Sequence, residues 1–148
     1  MVILFSERKS KTEREIIKIL CGYGAGYISD KAITDGASSF TLVSEYKKTD
    51  IRLKSCIAVF TEETDRFNGQ SFPPCTVGIC EDRNQKALEL FKNSRIPVIS
   101  CGMSAKNTVT LSSLNSTSLL AALQRTVTDC RGNSVDPGEF KIKLTGSY

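Results

Sequence analysis

Short, continuous apolar segments separated by amphipathic ones are the feature that most constrains the fold of this chain. They are VILF (2–5), SCIAVFTEE (55–63), CTVGICE (75–81) and IPVISCG (96–102). Strands with continuous apolar sequences are buried on both faces, and they alternate with helices when the sheet is parallel. The pattern therefore predicts an α/β fold with a Rossmann-like, mostly parallel sheet and helices on both of its faces.

Two intervening segments have apolar residues at helical spacing, residues 12–23 and residues 83–93. Asp82 is the predicted N-cap of the second helix, with Gln85 three residues further on. The glycine-rich segment CGYGAGY (21–27) suits a helix end and a turn, whereas a dinucleotide-binding loop would follow a strand. The alternating segment SSFTLVSEY (38–46) predicts one more strand.

The pattern changes after residue 102. The segments TVTLSSL (108–114), SLLAALQRTV (118–127) and EFKIKL (139–144) are separated by turn-forming residues and predict a C-terminal β-meander. The part SLLAALQR is also compatible with a helix, because Leu and Ala favour that state. A chain of 148 residues suits one domain, residues 1–148, with a β/α-alternating part at 1–102 and a β-rich part at 103–148.

Composition removes several classes of function. The chain has no histidine, which excludes Ser-His and Cys-His nucleophiles and most zinc ligand sets. A net charge of +4 gives no indication of nucleic-acid binding, and no apolar run reaches the roughly 20 residues that span a bilayer. The N-terminus lacks a secretory leader. Six scattered cysteines without a C-x-x-C pair, the last of them Cys130, fit reduced thiols in a cytoplasmic protein.

The opening segment LFSERKSKTEREI (4–16) occupies the place of a phosphate-binding P-loop. Aligning Lys11-Thr12 with the end of that motif puts Phe5 and Ser10 where its two glycines belong, although side chains there would block phosphate. Helix capping by Ser10 or Thr12 explains the same residues. The alternative is a weak anion or nucleotide site formed by four nearby basic residues: Arg8, Lys9, Lys11 and Arg14.

The acidic segment FTEETD (60–65) lies at the C-terminal end of the strand predicted at 55–63, and its residues Glu62 and Glu63 are candidate ligands of Mg²⁺. The alternative is a solvated acidic loop. This loop, the opening loop and CEDRN (80–84) converge only if their strands are neighbours in the sheet, since ligands of open α/β sheets bind at the carboxyl ends of strands. Cys80 and Cys101 end successive predicted strands, and we expect both to serve as packing residues. The alternative is a reactive thiol at Cys80, because the start of the predicted helix at 83–93 lies beside it.

The segment 75–113 resembles the closing part of the central ATP-binding domain of the Mur ligases. In that family a strand ends in an Asn/Asp-rich turn, and a helix with Ala-Leu pairs follows. The next strand ends in a Tyr, Phe or Cys followed by glycine. The matching residues here are Asp82 and Asn84 in the turn and Cys101-Gly102 at the strand end.

The resemblance implies contacts of Lys11 and Thr12, beside Ser10, with phosphates and Mg²⁺. It further implies that Glu62 or Glu63 lies at the metal, and that Asp82 or Asn84 lies near adenine or ribose. The chain departs from the family in lacking P-loop glycines, a histidine and room for the flanking domains, so amide ligation is not expected. It resembles a reduced, single-domain bacterial relative with a degenerate P-loop.

The sequence therefore favours a non-catalytic module that binds a small anionic or nucleotide ligand, or a protein partner, away from membranes. One alternative is a nucleotide hydrolase or transferase that uses ATP and Mg²⁺ through Glu62, Glu63 and Lys11. The other is an assembly subunit that forms a homo-oligomer through an exposed strand edge of the meander, since an unpaired edge can pair with another chain.

Overall fold

A computed structural model describes residues 1–8, 10–115, 117–129 and 132–143 of the chain. Lys9 of the basic cluster, Cys130 and Leu144, the end of the predicted last strand, lie outside the described residues. The chain divides between Val98 and Ile99 into two units.

The first unit contains a six-stranded sheet in the order β6-β5-β1-β4-β2-β3. All neighbouring strands in it are parallel except β2 and β3. Its elements are β1 (Val2–Phe5), α1 (Lys11–Gly22), β2 (Gly26–Ile28), β3 (Ile33–Thr34), β4 (Thr41–Glu45), β5 (Ser55–Phe60), a 3-10 turn (Asp65–Phe67), β6 (Cys75–Glu81) and α2 (Gln85–Asn93). The prediction of an α/β fold with a mostly parallel sheet is confirmed.

The hydrophobic core of this unit is built around phenylalanine rings. Phe5 and Phe60 face each other across the β1–β5 register and stack with their ring centroids 4.7 Å apart. Phe67 packs edge-on against both rings. Helix α2 adds Phe91, whose ring lies edge-on to Phe60 at 5.3 Å. The apolar strand sequences thus form the interior that their composition predicts.

Helix boundaries follow from local capping. Helix α1 begins after Ser10, whose side chain accepts a hydrogen bond from the Glu13 N–H, and it ends at Gly22. The next turn contains Gly24 at a φ of +85°, a conformation that favours glycine. The predicted glycine-rich turn is confirmed. The two short strands β2 and β3 follow this turn and were not predicted from the sequence.

The second unit is β-rich. Its strands are β7 (Val98–Gly102), which begins at the division between the units, β8 (Val109–Leu114), β9 (Ser118–Leu123), β10 (Val127–Thr128), β11 (Ser134–Val135) and β12 (Gly138–Lys143). Strands β8, β9 and β12 are joined by antiparallel pairing, as in the predicted meander, and β10 pairs with β11. The segment 118–123 is a strand, so the helical alternative for SLLAALQR is wrong.

The described residues contain two α-helices, of 12 and 9 residues. Neither has the length and apolar content needed to cross a lipid bilayer.

Candidate functional site

The loops that follow β1, β5 and β6 converge at the carboxyl ends of these neighbouring strands. Glu62, after β5, joins them because its carboxylate accepts hydrogen bonds from three donors. These are the Ser10 hydroxyl, the Glu7 backbone N–H at 3.1 Å and the Thr61 hydroxyl at 2.6 Å. The opening loop is thereby fixed to the acidic loop, and the condition for convergence of the loops, that β1, β5 and β6 are neighbouring strands, is met.

Asn84 extends this arrangement to the loop after β6. Its side-chain N–H donates to the Glu62 carbonyl at 2.9 Å, and its side-chain oxygen accepts from the Ala87 N–H at 3.0 Å. Asn84 is therefore the N-cap of α2, and the prediction that Asp82 caps this helix is wrong. The helix begins later than predicted because the Asn84 amide satisfies the cap and the neighbouring loop at once, which a carboxylate without donors cannot do.

The predicted phosphate-binding residues at the start of α1 differ in burial and in hydrogen bonding. Ser10 is buried and both caps α1 and donates to Glu62, whereas Lys11 and Thr12 begin the helix with exposed side chains. The backbone N–H of Ser10 donates to the Glu7 carbonyl at 3.2 Å, so the Glu13 side chain does not receive the return bond of a capping box. The opening segment thus serves as a helix cap that is tied to the next loop.

The acidic candidates do not form a metal-ligand cluster in the described part of the chain, where no group of three or more Cys, Asp or Glu residues is arranged to hold an ion. Glu63 is exposed, and Asp65 forms an ion pair with Lys86 at 2.5 Å. The hydrogen bond from Lys86 lowers the pKa of Asp65. Cys80 lies in the hydrophobic core, as expected of a packing residue.

A separate cleft of about 510 Å³ lies on the other side of β1, at the carboxyl ends of β2 and β4. Its walls come from the loop after β1 and from the last residues of those two strands with the loops that follow them. The lining residues are Arg8, Ile28, Ser29, Asp30, Val43, Ser44, Glu45, Tyr46 and Lys47.

Arg8 is held at this cleft by two contacts. Its guanidinium pairs with Asp30 at 2.7 Å, and its central carbon lies 5.1 Å from the centroid of the Tyr46 ring. This geometry combines an ion pair with a cation–π contact. These contacts fix the orientation of the guanidinium, while the Arg8 side chain remains 56% exposed to solvent.

Polar groups also lie close to the residues that line the cleft. The Tyr27 hydroxyl donates to the Ser44 hydroxyl at 3.1 Å. Ser6 and Glu13 are buried, and each has a side-chain oxygen without a hydrogen-bond partner among the described residues. Burial raises the pKa of Tyr46, the hydrogen bond with Ser44 offsets part of this effect, and the charge of Glu13 and the contact with Tyr27 add to it.

Glu45 gives the cleft a testable pH dependence. Partial burial raises the pKa of Glu45 above its ordinary value near 4.5, and the Lys47 ammonium offsets part of this effect. The Glu45 carboxyl therefore binds its proton more tightly in the folded protein than in the unfolded chain. The contribution of this difference to the free energy of unfolding is complete below pH 4.5 and is lost as the pH rises through the pKa of Glu45 in the folded protein. We expect Glu45→Gln to be more stable relative to wild type at pH 7 than at pH 4 in urea unfolding. An equal difference at both pH values would contradict this assignment.

Asn84 provides a second test. We expect Asn84→Ala to lower the free energy of unfolding by about 1 kcal/mol or more, because the variant loses a helix cap and the bond to the Glu62 carbonyl. Asn93→Ala, at an exposed position at the end of the same helix, is the matched control and should change stability by less than about 0.5 kcal/mol. Equal effects in urea unfolding would show that Asn84 has no special role.

Sequence reasoning found the converging loops and included Arg8 among the basic residues, but it missed the cleft. Its polar wall comes from Ser44, Tyr46 and Lys47, in the SEYKK segment that ends a predicted strand. Polar residues after a strand were the available signal. Ser29 and Asp30, which form the neighbouring wall, could not be identified in this way, because the strand that precedes them, β2, was not predicted.

No protein-family model and no curated protein matches the chain. The resemblance to the Mur ligase central domain therefore stays a proposal.

Proposed function

We propose that this chain is a non-catalytic binding module that takes a small anionic ligand of nucleotide size in the cleft beside β2 and β4. The observation that carries the proposal is the orientation of Arg8 by Asp30 and Tyr46 at the mouth of that cleft. Its volume of about 510 Å³ lies in the range of small-molecule sites.

The chemistry of the lining suits such a ligand. The guanidinium of Arg8 has five N–H donors and uses one nitrogen for Asp30, so further donors remain for an anionic group. Lys47 adds an exposed ammonium group. The Tyr46 ring and the aliphatic side chains of Ile28 and Val43 offer apolar surface to a flat ring such as a nucleobase.

Binding is favoured over catalysis by the state of Glu62. The enzyme alternative needs this carboxylate to hold Mg²⁺, yet it already accepts hydrogen bonds from Ser10, Glu7 and Thr61. A metal ion at this carboxylate would compete with these three donors for its oxygens. We therefore propose that ATP, if it binds, does so without a requirement for Mg²⁺.

The proposal includes a Rossmann-like arrangement, with helices on both sheet faces, related to the Mur ligase central domain. Its support is the position of β1, which has β5 on one side and β4 on the other, so that the chain changes direction there. Ligands of open α/β sheets bind at such switch points. The proposal also includes a cytoplasmic location, supported by the scattered spacing of the cysteines.

Isothermal titration with ATP, with and without Mg²⁺, and with inorganic phosphate tests the proposal. We expect Arg8→Ala to weaken ATP binding about tenfold or more, since it removes a charged hydrogen-bonding group. Arg52→Ala is the matched control, because Arg52 also pairs with a carboxylate at 2.7 Å but lies outside the cleft. Lys11→Ala should likewise leave the affinity unchanged.

Two results would contradict the proposal. Binding that needs Mg²⁺ and disappears in Lys11→Ala would establish the opening loop as a phosphate site and favour the enzyme alternative. No heat with millimolar ATP or phosphate would exclude an anion site of useful affinity in this cleft.

A further inference from the structure

Strand β12 is the last strand of its sheet within the described residues. It pairs with β9 along one side, from Gly138 opposite Leu123 to Lys143 opposite Ser118. All six of its residues are exposed. The backbone groups on its outer side are thus available to another strand, which is the usual route by which sheet edges associate.

One face of this strand is apolar. Phe140 lies opposite Ala121, and Ile142 lies opposite Leu119, so the two side chains continue an apolar row from β9. They keep exposures of 45% and 46%, respectively. Leu114 of β8 lies opposite Leu119 in the same row and is 64% exposed. Exposed apolar side chains grouped on one face in this way are typical of a surface that contacts another chain.

The other face of β12 carries Glu139, Lys141 and Lys143. Lysines on an edge strand commonly oppose pairing by charge repulsion. The order of charges here is different, because Glu139 and Lys141 lie on either side of Phe140. An antiparallel copy of the same strand, centred on Phe140, reverses that order and places each glutamate opposite a lysine.

We propose that two copies of this chain associate through antiparallel pairing of their β12 strands, with Phe140 opposite Phe140 of the second copy. In this register Glu139 faces Lys141 of the second copy, and Lys141 faces its Glu139. Both ion pairs follow from a single two-fold axis, so the strand is complementary to itself. The two sheets then continue through the contact, and the phenylalanine rings meet on the apolar face.

The register is selected by charge. Centring the two-fold axis on Lys141 would place two ammonium groups directly opposite each other, which is unfavourable in a cross-strand pair. The Phe140-centred register leaves Lys143 outside the central pairs. Because the contact involves one short strand from each copy, the expected dimer is weak and depends on protein concentration.

Sedimentation equilibrium of the full chain over about 1–500 μM, a range suited to weak association, tests the proposal. We expect a reversible monomer–dimer equilibrium. Lys141→Glu and Glu139→Lys should each weaken dimerisation about tenfold or more, because they convert two attractive pairs into two repulsive pairs. The double variant E139K/K141E restores opposite charges in reversed order and should recover the wild-type equilibrium. Lys143→Glu is the control, with little expected effect.

The proposal would be overturned by a chain that remains monomeric throughout this range. It would also be overturned by a dimer that the single charge reversals leave unchanged, or one that the double variant does not restore. A dimer that Lys143→Glu and Glu139→Lys weaken would favour the Lys141-centred register, in which Glu139 lies opposite Lys143 of the second copy, and would contradict the one proposed. Ligand binding in the first unit does not enter these outcomes, so this inference and the proposed function fail separately.

Discussion

Replacing Phe5 with alanine is expected to lower the free energy of unfolding by about 3–5 kcal/mol, the range for large-to-small changes at buried aromatic positions. The Phe5 side chain is fully buried and stacks on Phe60 at 4.7 Å. Its edge-on contacts with Phe67 and Phe72 lie at 5.0 and 5.9 Å. Its removal leaves a cavity that rings from three other segments line, and rigid aromatic side chains fill such a space poorly.

Urea unfolding of Phe5→Ala measures this loss, and Tyr23→Ala is the control. Tyr23 is 79% exposed at the end of α1, so its truncation should change stability by less than about 0.5 kcal/mol. A loss below about 1 kcal/mol for Phe5→Ala would contradict the assigned core. The result also concerns the P-loop comparison, because Phe5 occupies the position of the first P-loop glycine. A glycine at this position would remove the same ring contacts from the core.

Gly78→Ala is expected to lower the free energy of unfolding by about 2 kcal/mol through overpacking. A Cβ atom at this position of β6 would lie 2.6 Å from two carbons of the Phe91 ring. Phe91 cannot easily move away, since its ring is fully buried and packs against Phe60 at 5.3 Å and Phe72 at 5.8 Å. Either the strand or helix α2 must shift to admit the methyl group.

Two variants separate overpacking from a general glycine effect in urea unfolding. Gly22→Ala is the matched control, because a Cβ atom there meets nothing within 4 Å, and this variant should be neutral or slightly stabilising in a helix. In the double variant G78A/F91L the smaller side chain makes room, so the combined loss should be less than the sum of the single losses. Strict additivity would show that Gly78 and Phe91 do not compete for space.

Much of the fold was accessible from the sequence because its central strands are continuous apolar runs. The segment CTVGICE coincides with β6, and VILF coincides with β1. The errors have local causes. Strands β2 and β3 contain three and two residues, too few for a periodic pattern, and they follow a glycine-rich segment that reads as a turn. The cap of α2 was assigned to Asp82 because either residue type caps helices, and only the bond to Glu62 distinguishes Asn84.

The candidate site was predictable only in part. Strand ends identified the loops that contain Ser10, Glu62 and Asn84, but the sequence could not show that these residues bind one another. The cleft depends on β4 lying between β1 and β2, an order that differs from the order along the chain. Residue patterns report local periodicity, so they could not bring Arg8 to Asp30 and Tyr46.

A titration of the ¹⁵N-labelled protein with ATP, followed by backbone amide chemical shifts, locates the proposed ligand site residue by residue. We expect the largest changes at Arg8, at residues 28–30 and at residues 44–47, around the cleft, and we expect them without Mg²⁺. Changes confined to residues 10–12 and 62–84, or no changes with millimolar ATP, would contradict a binding site in this cleft.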